Sequence, residues 1–263
     1  MKKVLLSFFF FYAISTYAVT PVYRQGFKVS QAQGKQVCFA WDLNSVIFEK
    51  HVKIGKMTAY ALKEKGFFKT IKALWTFLKL WRHKKNLKKA GDPRGFVWDA
   101  MFAELEKTDP ETAQLLRIFA QQANILDLTM VTFMQNLSNN GHTHAVLSNM
   151  GQGLLDAQVE LLKEKQAENQ SLYNFILKFL EDQRYKVIAS EDNGWMHKPD
   201  KLIYQVFLHK NQHRSQITIF IDDKLENVQA AIENGFDIGI YYPKGSTSQQ
   251  LEDILAHELK IAF

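Results

Sequence analysis

The sequence predicts an α/β protein in which a doubly wound parallel sheet carries a helical insertion after its first strand. Three observations predict this architecture. Short, continuous apolar runs recur along the chain, which is typical of strands buried on both faces of a parallel sheet. Helical stretches alternate with these runs in the second half of the chain, and a longer helical segment separates the first run from the second. The 263 residues, 46% of them hydrophobic, suffice for a core of this size.

The predicted strands and helices alternate as a doubly wound (Rossmann-like) sheet requires. After a polar, extended lead-in over residues 19–35, the apolar run at 37–41 predicts the first strand. Further strands are predicted over 145–147 and 217–221, with shorter ones over 187–189 and 238–241. The helices that accompany them are predicted over 154–162, 172–180, 201–209 and 225–234.

The segment between the first two strands is too long for a simple crossover and is rich in helix formers. Helices are predicted there over 52–65, 67–89, 98–107 and 110–123. Pro110 marks the start of the last one, because proline is favoured at the first helical position. We therefore predict a core domain made of residues 19–48 and 128–263, and a helical domain made of residues 49–127.

Four short polar sites occur along the chain, and three of them stand where a predicted strand ends. In chain order they are Asp42-Leu43-Asn44, Ser148-Asn149, Lys198-Pro199-Asp200 and Asp222-Asp223. Ligands of open α/β sheets bind outside the carboxyl ends of the strands, so these residues are expected to meet in one crevice. Taken singly, each site has an ordinary alternative as a helix N-cap, a turn or a helix start.

The residue types at these sites suit phosphoryl transfer, which needs a nucleophile in line with the phosphorus and positive charge around its oxygens. Asp42 is the candidate nucleophile, which would form an aspartyl phosphate. Ser148 offers a hydroxyl to a phosphoryl oxygen and Lys198 adds a fixed cation. Asn149 is a candidate for binding the substrate with them and for positioning that lysine.

A magnesium site is predicted from the carboxylates. Mg²⁺ needs hard oxygen ligands, which Asp42, the backbone carbonyl of Asn44 and Asp223 offer. Asp222 either ligates the ion or orders a water on it. Two adjacent carboxylates at a strand end lower the stability of the fold unless a cation lies beside them. Their presence therefore favours a metal-binding site over a pair of aspartates without function.

The order of these sites resembles that of the haloacid dehalogenase-like (HAD) hydrolase superfamily, whose members are mostly aspartyl-phosphate phosphatases. The resemblance extends over residues 37–242 and includes Asn227, Ile203 and Tyr204. It implies the same roles: Asp42 as nucleophile, Mg²⁺ as the cofactor, and a small phosphorylated substrate. It also implies that the helical domain is a mobile cap that covers the crevice and selects the substrate.

Asn44 departs from the family pattern, which has a second aspartate two residues after the nucleophile. That aspartate protonates the leaving oxygen and later deprotonates the attacking water, and an amide does neither near neutral pH. Loss of general acid–base help typically costs about 10²–10⁴-fold in rate. The dehalogenases of the superfamily also lack this aspartate, but they need no metal, which would leave Asp222 and Asp223 unexplained.

The function predicted from these residues is that of an exported, magnesium-dependent phosphatase or phosphotransferase, slowed by Asn44. Two alternatives stay open. One is an inactive HAD-fold protein that binds or interacts without turnover. The other is halide displacement of the haloacid dehalogenase type.

Export is predicted from the N-terminal residues. Lys2 and Lys3 precede a short apolar run, and Thr16 and Ala18 are the small residues that favour cleavage after position 18. The run is shorter than the roughly 20 apolar residues that span a bilayer, so a cleaved signal peptide over residues 1–18 is predicted rather than a membrane anchor. The predicted location is the periplasm or the exterior.

The predicted helix over 67–89 carries both aromatic and basic residues. It either buries its aromatic side chains and exposes a solvated cationic face, or it forms a surface that attracts anions, such as a phosphorylated substrate or acidic lipid headgroups. Nucleic-acid binding is not expected, because a net charge of +6 is modest and no nucleic-acid module accompanies the helix.

Overall fold

The computed structural model describes residues 18–50, 62–63, 66–211 and 217–261. The strands in this part of the chain are β1 (Thr20–Tyr23), β2 (Val37–Trp41), β3 (Phe48–Lys50), β4 (Asn124–Leu126), β5 (Thr143–Gly151), β6 (Lys186–Ala189), β7 (Ile217–Asp222) and β8 (Ile238–Tyr241). The α-helices are α1 (Phe67–Lys89), α2 (Trp98–Glu106), α3 (Pro110–Gln122), α4 (Leu128–Asn139), α5 (Gln152–Glu164), α6 (Gln170–Glu181), α7 (Lys201–Asn211), α8 (Leu225–Glu233) and α9 (Ser248–Asp253). A short π-helical segment over Ile254–Glu258 follows α9.

Six strands form the main sheet, in the order β1-β8-β7-β2-β5-β6. Five of them are parallel, with β2 at the centre between β7 and β5. All five residues of β2 are buried, which explains its continuous apolar sequence. The predicted parallel α/β sheet is confirmed, with one addition at its edge.

That addition is β1, which pairs antiparallel with β8 inside the segment predicted as an extended lead-in. The sheet is therefore mixed rather than wholly parallel. β1 was missed because it has only four residues and its burial is partial, so it lacks the apolar run of a central strand.

Helices cover both faces of the sheet. Alternate residues of β2 point to opposite faces, so Phe39 packs with α4, α5 and α6 while Ala40 packs with α7 and α8. This arrangement is the doubly wound architecture that was predicted. α4 and α9 were not predicted, although α4 buries five residues in the core.

The helical insertion begins and ends at a small second sheet. β3 and β4 pair antiparallel there, and α1, α2 and α3 lie between them in the chain. The bounds of these three helices agree with the predicted ones to within one residue, while the predicted helix over 52–65 falls mostly outside the described residues. The signal peptide predicted over 1–18 also lies outside them, apart from residue 18. Among the described helices none is both long and apolar enough to cross a bilayer.

The surface of α1 differs from the first interpretation of its sequence, which was that the helix buries its aromatic side chains. Only Thr70 and Ala73 of this helix are buried. Phe68 is 86% exposed and Trp75 is 63% exposed, so the aromatic residues of α1 do not serve mainly to pack it against its neighbours.

Candidate active site

Asp42 stands at the carboxyl end of the central strand β2, where its backbone N–H donates to the carbonyl of Ile221 on β7 at 3.0 Å. Its carboxylate is buried, and Oδ1 accepts a hydrogen bond from Ser148 Oγ at 2.7 Å and lies 2.9 Å from Lys198 Nζ. These two contacts fix the orientation of the carboxylate. No hydrogen bond from the described residues reaches Oδ2, and Asp42 lines a cavity.

Asn44 reaches the same cavity because the chain turns sharply after β2. Phe48 N–H donates back to the carbonyl of Leu43 at 2.8 Å, and Ser45 N–H donates to the carbonyl of Phe48 at 2.7 Å. Ser45 adopts a positive φ of 66° within this turn, a conformation that is uncommon outside glycine. The turn thus holds Asp42 and Asn44 side by side on the cavity wall.

Lys198 is the central cation of the site, with a side chain only 1% exposed. Its Nζ donates to Asp222 Oδ2 at 2.6 Å and to the carbonyl of Leu147 at 2.8 Å, in addition to its contact with Asp42. Burial by itself would lower the pKa of Lys198, but the attraction of Asp222 and Asp42 outweighs burial and raises that pKa above its ordinary value. The lysine therefore remains charged.

Asn149 holds the backbone of Lys198 in place. Its Nδ2 donates to the Lys198 carbonyl at 2.9 Å, and its Oδ1 accepts from the Lys198 N–H at 2.6 Å. The geometry matches the positioning task that the sequence suggested for this amide. Asn149 also lines the cavity.

Asp222 and Asp223 are adjacent but have different surroundings. Asp222 is fully buried, and its two oxygens accept hydrogen bonds from Lys198, from the backbone N–H of Lys224 at 2.8 Å and from Asn227 Nδ2 at 3.0 Å. Burial raises the pKa of Asp222, and the charge of Lys198 opposes that rise. Asp223 is half-buried and lines the cavity.

Three carboxylates lie close enough together to be candidate ligands of one divalent metal ion. Asp42, Asp222 and Asp223 each present an oxygen, and these oxygens lie within 4.8 Å of one another. Hard oxygen ligands of this kind fit Mg²⁺. Asp42 and Asp223 are the better candidates for direct ligands, because the protein's own donors already occupy both oxygens of Asp222.

A cavity of about 730 Å³ lies between this carboxylate cluster and the helices α1, α2 and α3. The polar end of the cavity is formed by residues of the core domain, and the opposite wall, formed mainly by the helical insertion, is apolar. The polar end includes Asp42, Asn44, Asn149, Lys198, Asp223 and Lys224. The apolar wall includes Leu74, Phe77, Trp98, Phe102, Leu116 and Phe119. A volume of this size is typical of small-molecule sites.

Comparison with known proteins bears on the fold. No protein-family model matches the chain, and no curated protein sequence matches it either. Among solved structures, the HAD-family enzyme BT-2542 from Bacteroides thetaiotaomicron superposes with a TM-score of 0.52 at 14% sequence identity, covering 84% of this chain and 98% of that one. This chain has the HAD-like fold.

Two further solved structures are similar at lower TM-scores. A variant of the same Bacteroides enzyme, with an aspartate replaced by alanine and in complex with magnesium and inorganic phosphate, has a TM-score of 0.47 at 14% identity and covers 83% of this chain and 99% of that one. The defluorinating L-2-haloacid dehalogenase Rha0230 has a TM-score of 0.46 at 14% identity, and the match covers 82% of this chain and 83% of that one.

The HAD-like fold brings all four polar sites of the sequence together. Two candidates have surroundings that differ from their predicted roles. Asp222 is fully buried, and protein donors occupy both of its oxygens. Ser148 is also fully buried, and its hydroxyl donates to Asp42 rather than facing the cavity. Its contact with a phosphoryl oxygen stays a prediction and would require the hydroxyl to leave Asp42. In the observed geometry Ser148 orients the candidate nucleophile.

The sequence did not reveal the residues that join the helical insertion to the polar end of the site. Phe96 stacks on His197 with ring centroids 3.9 Å apart, directly beside Lys198 in the chain. Burial lowers the pKa of His197, which favours the neutral ring in this contact. No motif marks such a pair, because its two members come from separate segments that only the fold brings together.

Proposed function

We propose that the protein is a magnesium-dependent phosphomonoester hydrolase or phosphotransferase that works through an aspartyl phosphate on Asp42. The observation that carries the proposal is the carboxylate of Asp42, held by Ser148 and Lys198 on the wall of the cavity and beside two further carboxylates. A preorganised anion next to a fixed cation is the arrangement that phosphoryl transfer requires.

The chemistry follows from the groups that face the cavity. Asp42 Oδ2 would attack phosphorus and form an O–P bond while the bond from phosphorus to the leaving alkoxide breaks, and water would then cleave the acyl phosphate. Lys198 offsets the negative charge of the phosphoryl oxygens and stays close to Asp42 throughout. Bound Mg²⁺, held by Asp42, the Asn44 carbonyl and Asp223, would supply further positive charge at the same oxygens.

Asn44 sets the expected speed of the reaction. Among the described residues that line the cavity, the remaining acids are Asp42 and Asp223, and both are assigned to the nucleophile and the metal. No second carboxyl is therefore placed to protonate a leaving oxygen. Substrates whose leaving groups need no proton should react faster than alkyl esters.

The test is hydrolysis of an activated aryl phosphate by the full chain, with and without Mg²⁺. Release of phosphate should require both Mg²⁺ and Asp42, and Asp42→Asn should lower the rate by about 10³-fold or more, as expected for loss of a nucleophile. Asp192→Asn is the matched control, since this aspartate is exposed and lies outside the site.

Two other outcomes would redirect the interpretation. If Mg²⁺ raises the melting temperature but no phosphate ester reacts, the protein is an inactive binding protein that has kept the metal site. If chloride is released from a 2-chloro acid without Mg²⁺, halide displacement replaces phosphoryl transfer.

We also propose that the protein is exported, on the basis of its N-terminal residues, and that α1 contacts an anionic lipid surface. The helix has no acidic residue, and its exposed aromatics Phe68 and Trp75 lie on the same element as Lys79, Arg82 and Lys89. Aromatic side chains at the headgroup level and cations near acidic lipids both favour such binding.

Vesicle binding tests the contact of α1 with lipid. The full chain should sediment with vesicles containing phosphatidylglycerol but not with pure phosphatidylcholine, and 0.5 M salt should release it. Phe68→Ser with Trp75→Ser should abolish sedimentation, whereas Ile125→Ser, also an exposed apolar position, should not. Equal binding to both vesicle types would contradict the proposal.

A further inference from the structure

The wall of the cavity opposite Asp42 is aromatic and continuous. Phe77 on α1 stacks on Trp98 with ring centroids 5.2 Å apart, and Trp98 stacks on Phe102 of α2 at 5.9 Å. Phe119 on α3 contributes a further ring. Three separate helices thus direct apolar side chains into one space beside the polar end.

Most polar residues of the cavity belong to the end that holds the carboxylates, and the two on the helical insertion are Asn124 and Lys84. The amide of Asn124 already donates to the Ala120 carbonyl at 2.9 Å. The ammonium of Lys84 lies against the wall, where it donates to the Gly95 carbonyl at 2.7 Å and lies 5.5 Å from the centroid of the Trp98 ring. The described residues that line the cavity include four asparagines, three lysines and two aspartates, but no serine, threonine, tyrosine, glutamine, glutamate or histidine.

This lining is poorly suited to a sugar. Each hydroxyl that is buried without a hydrogen-bond partner would lower the affinity by roughly 5- to 150-fold, and a sugar phosphate would bring several of them against the aromatic wall. An apolar group in the same place would instead remove both its own surface and that of Phe77 from water. Phe77 is 39% exposed although it borders the cavity, so part of its surface is available for such a contact.

We infer that the group esterified to the phosphate is apolar, so that the substrate class is phosphate monoesters of long-chain or aryl alcohols rather than sugar phosphates. The inference rests on the proposed function for the position of the phosphate, at the end formed by Asp42, Lys198 and Asp223. The apolar group then extends from this end along the rings of Phe77 and Trp98. The volume of about 730 Å³ accommodates a group of several carbons beside the phosphate.

Binding of n-alkylphosphonates tests the inference without turnover, because their C–P bond is not an ester that the site would cleave. Ethyl-, butyl-, hexyl- and octylphosphonate are titrated into the full chain with Mg²⁺ by calorimetry. The dissociation constant should fall by about three- to fourfold for each added methylene, the value expected for burial of a CH₂ group. Glucose 6-phosphate should bind no better than ethylphosphonate.

Substitutions in α1 test whether the dependence of affinity on chain length arises from the apolar wall of the cavity. Phe77→Asn should weaken octylphosphonate binding by about tenfold and leave ethylphosphonate unchanged. Leu78→Asn, at a second partly exposed lining position, repeats the test should the first variant fold poorly. Phe68→Asn is the matched control, since this phenylalanine is on the same helix but is 86% exposed and does not line the cavity.

The two hypotheses fail in different ways. An affinity that does not depend on chain length, or that depends on it equally in Phe77→Asn, overturns the inference even if an activated phosphate is hydrolysed through Asp42. Chain-length dependence without hydrolysis of any ester supports the apolar ligand class and overturns the catalytic proposal.

Discussion

Replacement of Lys198 by methionine is the most direct test of how the polar site is held together. Methionine keeps the length of the side chain but removes the ammonium, which lies 2.6 Å from Asp222 Oδ2, 2.9 Å from Asp42 Oδ1 and 2.8 Å from the carbonyl of Leu147. The variant would leave two buried carboxylates close together with no compensating charge. Removing one partner of a buried ion pair typically costs about 3–5 kcal/mol.

This cost is a large part of the free energy of unfolding, which is about 5–15 kcal/mol for most proteins. For a chain of this size, each kcal/mol lowers the melting temperature by about 2–4 °C, so Lys198→Met should melt roughly 6–20 °C below the parent. A second change, Asp222→Asn, should recover part of the loss, because it removes one of the two uncompensated charges.

The assay is urea unfolding in the presence of EDTA, so that no divalent ion replaces the missing charge. Lys224→Met is the matched control, since Lys224 is exposed and its backbone rather than its side chain binds Asp222. The control should stay within about 0.5 kcal/mol of the parent. If Lys198→Met costs less than about 1 kcal/mol, or if Asp222→Asn adds to its cost, the reasoning about a charge-compensated site is wrong.

Four further predictions concern the metal, the missing acid, the contact between the helical insertion and the core, and the N-terminus. Mg²⁺ should raise the melting temperature of the parent by mass action, and Asp223→Ala should abolish the shift; a parent that does not respond to Mg²⁺ would argue against the metal site. Asn44→Asp should raise steady-state phosphate release by about tenfold or more. The parent should release a burst of aryl alcohol in rapid-quench experiments, because hydrolysis of its acyl phosphate lacks a general base. Absence of both effects would favour the inactive binding protein. Because burial lowers the pKa of His197, the unfolded chain binds a proton near pH 6.5 that the folded chain does not, so the free energy of unfolding should fall as pH decreases through about 6.5. His197→Gln should show a smaller fall between pH 7.5 and pH 5. Identical pH profiles of the two proteins would show that this ring does not contribute. Mass spectrometry of the exported protein should find Val19 at or within a few positions of the mature N-terminus, whereas an intact leader would contradict the predicted cleavage.

The main elements could be predicted because local patterns were strong. β2 and β7 are continuous apolar runs, and α1 begins and ends where its helix-forming composition does. β1 could not be predicted, because an edge strand of four residues, two of them exposed and two partly buried, owes its existence to pairing with β8. β3 and β4 share this dependence, since each has three residues and pairs with a segment more than 70 positions away.

The candidate site, like the fold, has features that local sequence patterns predict and features that only tertiary contacts determine. Asp42 and Asp223 stood out because polar residues at strand ends must come together in an open parallel sheet. Lys198 follows no strand and stood out through the resemblance of its segment to the HAD pattern. The buried position of Ser148 behind Asp42 did not follow. The predicted strand ended at residue 147, whereas β5 continues to Gly151 and places Ser148 inside the strand, where the local register decides which way its side chain faces.

The sequence by itself determined the α/β class, the central strand and the set of polar residues at its carboxyl end, because burial on both faces and strand-end chemistry leave marks within a few consecutive residues. Only the tertiary structure decided how those residues share their charges, since Lys198 lies within 3 Å of two carboxylates from different strands. It also decided that Phe77, Trp98 and Phe119 line one cavity while Phe68 faces solvent. Aromatic residues at helical spacing look alike in a sequence, and the helices packed around them determine which rings line a cavity and which face water.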